Sequence, residues 1–143
     1  MELLEKHLVL KKSVLPGAGK GLYTKIDIPK GMAIVEYKGR LVNWNDVKHR
    51  DGHNGYLFRL NVSKAIDALP YKSTFGRYAN DARGFGKITG VRNNCEYTVR
   101  KNKCYITSIR KIHKGEELLV PYGKAYWDLV KKVRGEKNNG KKK

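Results

Sequence analysis

The apolar residues of this chain come in short, broken runs, and that feature limits what it can fold into more than any other. "MAIVEY" (Met32 to Tyr37), "YLFRL" (Tyr56 to Leu60), "KAIDAL" (Lys64 to Leu69) and "EELLV" (Glu116 to Val120) are each five or six residues long. Glycine, proline, asparagine or clusters of charge close them off. Runs of this length, rich in β-branched and aromatic residues, suit strands and are too short for stable helices. "HLVLKKSV" (His7 to Val14) alternates loosely and reads as a further strand, broken by "PGAGKG". The stretch from Leu22 to Val42 predicts two short strands around a turn at Pro29-Lys30-Gly31. "CEYTVRKNKCYITSIRKI" predicts a hairpin turning at about Lys101 to Lys103. Helical signals are few. "NWNDVKH" allows one or two turns capped by Asn43 or Asn45, and "KAYWDLVKKV" sets Tyr126, Leu129, Val130 and Val133 on one side of a helix over Lys124 to Val133. The expectation is a predominantly β domain in which Tyr71 to Asn94 is irregular.

At 143 residues the chain has room for one domain, placed at residues 1–133, and it shows no internal repeat. The lysine-rich segment at residues 134–143 is expected to be a disordered basic tail. No apolar run approaches the roughly 20 residues that span a bilayer, so no membrane partner is expected. The start, "MELLEKHLVLKK", does not read as a secretory signal, so an intracellular location is expected. Thirty-one basic residues against 13 acidic ones give a net charge of +18. A field of that strength draws in nucleic acid, or proteins bound to it.

Several chemistries are excluded by spacing. Cys95 and Cys104 are too few for a disulfide framework or a four-cysteine zinc site. His49 and His53 flank an Asp-Gly turn signal and lack the glutamate of a zinc-protease helix, so no metal is expected. "GAGKGL" fails as a P-loop because Gly21 follows Gly19-Lys20 and Val14 occupies the upstream glycine position. It fails as a dinucleotide fingerprint because Leu22 takes the place of the third glycine. A glycine turn in which backbone approaches a ligand or another segment remains.

The order of the remaining motifs carries more information than any one of them. The glycine turn is followed by "EYKG" (Glu36 to Gly39), "RYAN" (Arg77 to Asn80), "NNCEY" (Asn93 to Tyr97) and "GEELLVPYG" (Gly115 to Gly123). This series, from about Val9 to Trp127, resembles the SET domain of protein lysine methyltransferases, most of all the small free-standing type found among large DNA viruses. The family usually carries Asn-His-Ser-Cys where this chain has Asn80-Asp81-Ala82-Arg83.

The resemblance implies a SET-domain (β-clip) fold of small curled sheets, short helices and a threaded C-terminal segment. It also implies S-adenosylmethionine as methyl donor. Tyr122 would be catalytic and would also contact the cofactor, Tyr37 would bind the amine, and Tyr97 would stand where the family sets the number of methyls, tyrosine there resembling members that stop at one or two. Ala18, Gly19, Lys20 and Gly21 would hold the amino-acid end of the cofactor. Arg77, Tyr78, Asn80 and Asp81 would contact it from the irregular stretch, and Trp127 would pack on its adenine. The chemistry agrees with these residue types. Displacement at a methyl needs a neutral amine, and tyrosines offer faces that attract cations and hydroxyls that orient a lone pair. The implied substrate is a basic protein such as a histone or nucleoid protein, with electrostatic contact to nucleic acid, in the nucleus or on chromatin of a eukaryotic host and otherwise in the cytoplasm or nucleoid. Two alternatives stand beside this reading: a catalytically silent SET-like module, and a basic nucleic-acid-binding protein.

Overall fold

The computed structural model describes residues 3–48, 56–70, 74–83 and 88–122. Among these, the strands in chain order are β1 (Leu8–Lys12), β2 (Lys20–Thr24), β3 (Ala33–Glu36), β4 (Arg40–Asn43), β5 (Leu57–Arg59), β6 (Lys64–Asp67), β7 (Cys95–Arg100) and β8 (Lys103–Ser108), with a short helix α1 (Trp44–Val47). They form three small antiparallel sheets ordered β1-β2, β3-β8-β7 and β4-β6-β5.

Side-chain alternation places the residues that matter. In the β7-β8 pair, Cys95 opposes Ser108, Tyr97 opposes Ile106 and Val99 opposes Cys104, so these share one face. Cys95, Cys104 and Ile106 are fully buried there, and Tyr97 is therefore set on the inner side of the sheet. The main core gathers Leu22, Ile28, Ile34, Val35, Ile106, Ile112 and Leu118, all without exposed surface. Each such leucine or isoleucine contributes roughly 1.5–3 kcal/mol by leaving water. The hairpin turn falls at Lys101 and Asn102, both at positive φ (47° and 63°), which matches the two-residue turn that follows strand twist.

The segment at 116–120 ties distant parts together. Leu118 N–H donates to Leu22 (2.7 Å), Val120 N–H to Asn80 (2.8 Å), and the N–H groups of Asn94 and Cys95 both donate to the Leu119 carbonyl (3.0 Å each). The buried Asn94 side chain completes the seam, donating to the Glu117 carbonyl at 2.8 Å and accepting from Leu119 N–H at 2.9 Å. These bonds hold the 116–120 segment against three earlier stretches of the chain.

The structure departs from the pattern reading in several places. The expected strand "EELLV" makes only single bridges, Tyr23 with Glu117 and Asn80 with Leu119, because successive amides find partners in different segments and no ladder continues. Leu22 to Val42, read as two strands, contains parts of three, since the chain passes from the β3 sheet to pair β4 with β6. Asn43 occupies the cap of α1, but its side chain bonds Asp46 and Lys64 instead of the helix backbone. Among the described residues, the irregular stretch holds a 3-10 turn, Gly76–Tyr78. The helix expected over Lys124 to Val133, the basic tail, and His49 and His53 lie outside the described residues.

Candidate active site

The glycine turn forms the first wall. Gly17 and Gly19 sit at positive φ (75° and 72°), a conformation natural to glycine, and open space surrounds both where a side chain would begin. Ser13 N–H donates to the Gly19 carbonyl at 2.8 Å, closing the turn. Gly21 serves a different purpose. A Cβ there would collide with the Glu117 carboxylate, whose Cδ would lie 2.7 Å away.

Glu117 is 5% exposed and holds the turn in place. Its Oε2 accepts from Ser13 Oγ (2.8 Å) and from Asn80 Nδ2 (3.3 Å), and its Oε1 accepts from Val14 N–H (2.9 Å). Asn80 Nδ2 also donates to the Lys20 carbonyl at 3.0 Å. Asn80 and Glu117 thus join the glycine turn, the irregular stretch and the C-terminal segment.

A cavity of about 400 Å³ opens beside this junction, lined by Ala18, Gly19, Lys20, Tyr56, Arg77, Tyr78, Asn80 and Tyr122. Seven of these residues are those expected to contact the cofactor, and the fold brings them together from three separate stretches. Gly21 and Asp81 do not line it; the first packs on Glu117 and the second is buried behind the wall. Trp127 lies outside the described residues. Arg77 lines the cavity but directs its Nη1 to the carbonyls of Ala68 (3.0 Å) and Leu69 (2.7 Å). Its guanidinium stacks 3.7 Å from the Tyr56 ring, so it fastens the 56–69 segment to the wall. Tyr56 itself, at the head of an ordinary strand run, gave no sign of its place.

The second component is an aromatic cluster. Tyr97 meets Tyr37 edge to face at 5.8 Å (86°), lies 4.7 Å from Phe58, and stacks on Tyr122 at 6.4 Å (22°). Phe58 is a member that sequence reasoning missed, because β5 gives no hint of which face meets the tyrosines. Tyr37 is 4% exposed and its hydroxyl donates to the Tyr56 carbonyl at 2.8 Å. The Tyr122 hydroxyl donates to the Ala79 carbonyl at 2.5 Å. Desolvation, followed by the neighbouring Tyr122 and Tyr37, holds the Tyr97 phenol well above its ordinary pKa. Its hydroxyl stays neutral and able to donate. Rings of this kind attract a cationic head through their faces while their dry surroundings disfavour its charge.

A family model described as "SET domain" matches residues 19–123, most of the chain. The chain belongs to the SET-domain family. Among curated proteins, this SET domain is 32% identical over 142 residues to Histone-lysine N-methyltransferase EZH2 of Chaetomium thermophilum, an alignment covering 90% of the chain and 9% of that protein. It is 30% identical over 126 residues to N-lysine methyltransferase KMT5A-A of Xenopus laevis, covering 80% of the chain and 36% of that protein. Among solved structures it is similar to a humanized mutant of the Chaetomium thermophilum Polycomb Repressive Complex 2 bound to the inhibitor GSK126. The TM-score there is 0.65 and the identity 28%, with 87% of this chain and 16% of that one covered. The SET domain described here therefore spans well under half the length of these relatives.

Proposed function

We propose that this SET domain is an S-adenosylmethionine-dependent protein-lysine N-methyltransferase acting on a basic protein associated with nucleic acid, such as a histone or nucleoid protein. The observation that carries the reading is that Tyr122 belongs to both halves of the site. It lines the cavity and stacks on Tyr97 in the aromatic cluster. A donor held in the cavity and an amine held among the tyrosines would thus meet at one residue. Names of relatives such as Histone-lysine N-methyltransferase EZH2 support the same class.

The residues fit S-adenosylmethionine. The cavity is within the roughly 300–1,000 Å³ usual for ligand sites, and the open space around Gly17 and Gly19 leaves their backbone accessible. Lys20 supplies a cation suited to a carboxylate, and Tyr56 and Tyr78 supply apolar faces. When bound, the cofactor supplies an electrophilic methyl group. Tyr37 and Tyr97 orient the amine and favour its uncharged form, whose pKa in water is about 10.4. Alignment of the reacting atoms is the main contribution such a site can make, worth several kcal/mol. Tyrosine at position 97 resembles the family members that stop early, so one or two methyls are the expected products.

A net charge of +18 opposes approach to an isolated basic tail and favours the same tail on DNA. Nuclear or nucleoid location would follow from that substrate. The test is calorimetric titration with S-adenosylmethionine and S-adenosylhomocysteine, then methyl transfer to nucleosomes and to free histone-tail peptide. One-to-one binding and faster transfer to nucleosomes are expected; absence of binding at millimolar ligand would sink the reading.

A further inference from the structure

Three hydrogen-bond donors converge on one buried carboxylate. Asp81, 5% exposed, accepts at Oδ1 from Arg83 N–H (2.9 Å) and Asn93 Nδ2 (3.0 Å), and at Oδ2 from Tyr122 N–H (2.9 Å). Asn93 cannot turn its amide over to relieve the demand, because its Oδ1 already accepts from Ala82 N–H at 2.8 Å. Position 81 must therefore accept on both sides, which an ionised carboxylate does and an amide does not.

The same short stretch holds the other end of Tyr122, whose hydroxyl donates to the Ala79 carbonyl. Backbone and phenol are thus fixed from residues 79 and 81, and between these anchors the ring reaches both the cavity and Tyr97. We propose that Asp81 is a positioning residue, whose carboxylate sets the backbone of Tyr122 and so the place of its ring and hydroxyl. The geometry stands by itself; the effect on turnover rests on the methyltransferase reading.

Asp81→Asn tests this, because the amide puts an NH₂ group against a donor in either orientation. The exchange variant Asp81→Asn with Asn93→Asp restores the Tyr122 contact, since the new amide can donate to residue 93 and accept from Tyr122, and only the Arg83 N–H loses its acceptor. Wild type and both variants are compared by the Tyr122 amide resonance in ¹⁵N-labelled protein, by S-adenosylhomocysteine affinity, and by kcat on nucleosomes. The amide resonance of Tyr122 should move in the single variant and return in the exchange. Cofactor affinity should be retained while kcat falls about 10- to 100-fold, the scale of a small misplacement of a reacting group, and then recovers. An unmoved resonance, a loss lying wholly in cofactor affinity, or an exchange variant no better than the single one would overturn the proposal. If the single variant does not fold, the exchange variant decides, and its failure to fold or to restore the resonance counts against the proposal. A wild type without turnover would sink the methyltransferase reading alone, because the resonance still reports on Asp81.

Discussion

Glu117 and Ser13 are 104 residues apart in the chain, yet their side chains meet at 2.8 Å. The contact exists because Gly21 presents no side chain between them.

Gly21→Ala would drive a methyl group into the Glu117 carboxylate and crowd the Ser13 backbone. Overpacking of this kind costs about 1–3 kcal/mol. Urea denaturation should show that loss, and calorimetry should show weaker S-adenosylhomocysteine binding, because the displaced carboxylate also holds Val14 and Asn80. Unchanged affinity would separate the glycine turn from the cavity.

Tyr122→Phe removes the hydroxyl bonded to the Ala79 carbonyl and keeps the ring. A single hydrogen bond is worth about 0.5–1.5 kcal/mol of stability, so the fold should survive. Turnover should fall by at least about tenfold, because alignment at the reacting centre is lost. Nucleic-acid affinity, measured alongside by fluorescence anisotropy, should not change, and this distinguishes an enzyme from a simple basic binding protein.

Cys95 and Cys104 are buried, and desolvation raises each thiol from 9.0 to about 12. Both should resist alkylation in the native protein at pH 8 and react once it is unfolded. The sign of the linkage follows: a raised folded-state pKa lends stability that is complete below the unfolded value and disappears as pH climbs toward the folded one. Stability should therefore decline from about pH 9 toward pH 12, with the raised Tyr97 phenol adding to the loss above pH 10. Denaturation midpoints across that range check this, and Tyr97→Phe should remove the tyrosine part.

Lys101 sits at φ 47° in the β7-β8 turn, a conformation that asparagine and glycine tolerate better than lysine. Replacing Lys101-Asn102 with Asn-Gly should raise stability, because both residues then suit the left-handed backbone of the turn, without altering catalysis. Thermal denaturation reads the gain.

Local signals in the sequence predicted much of this fold. β-branched runs marked β3, β7 and β8, and "RKNK" marked their hairpin, because both depend on neighbouring residues alone. The cavity wall was legible in motif order, because the family resemblance groups Gly19, Arg77, Asn80 and Tyr122. Tyr56 and Phe58 escaped because nothing local distinguishes an aromatic that faces a site from one that faces a core. The resemblance places Asp81 at the cofactor, but says nothing of its bonds to Tyr122, Arg83 and Asn93. Only the geometry of three converging donors reveals those bonds, and the donors come from residues up to 41 positions away.

The seam at residues 116–120 also sets a schedule. Its partners, at Leu22, Asn80 and Asn94, are all made earlier during synthesis, and each loop must close over a long separation before its bonds return any stability. A chain emerging from the ribosome would have the glycine turn, Tyr37 and Tyr97, and most of its core residues long before it had a cavity. The cavity is therefore completed only when the seam and Tyr122 are available, and a product truncated before residue 116 would lack both.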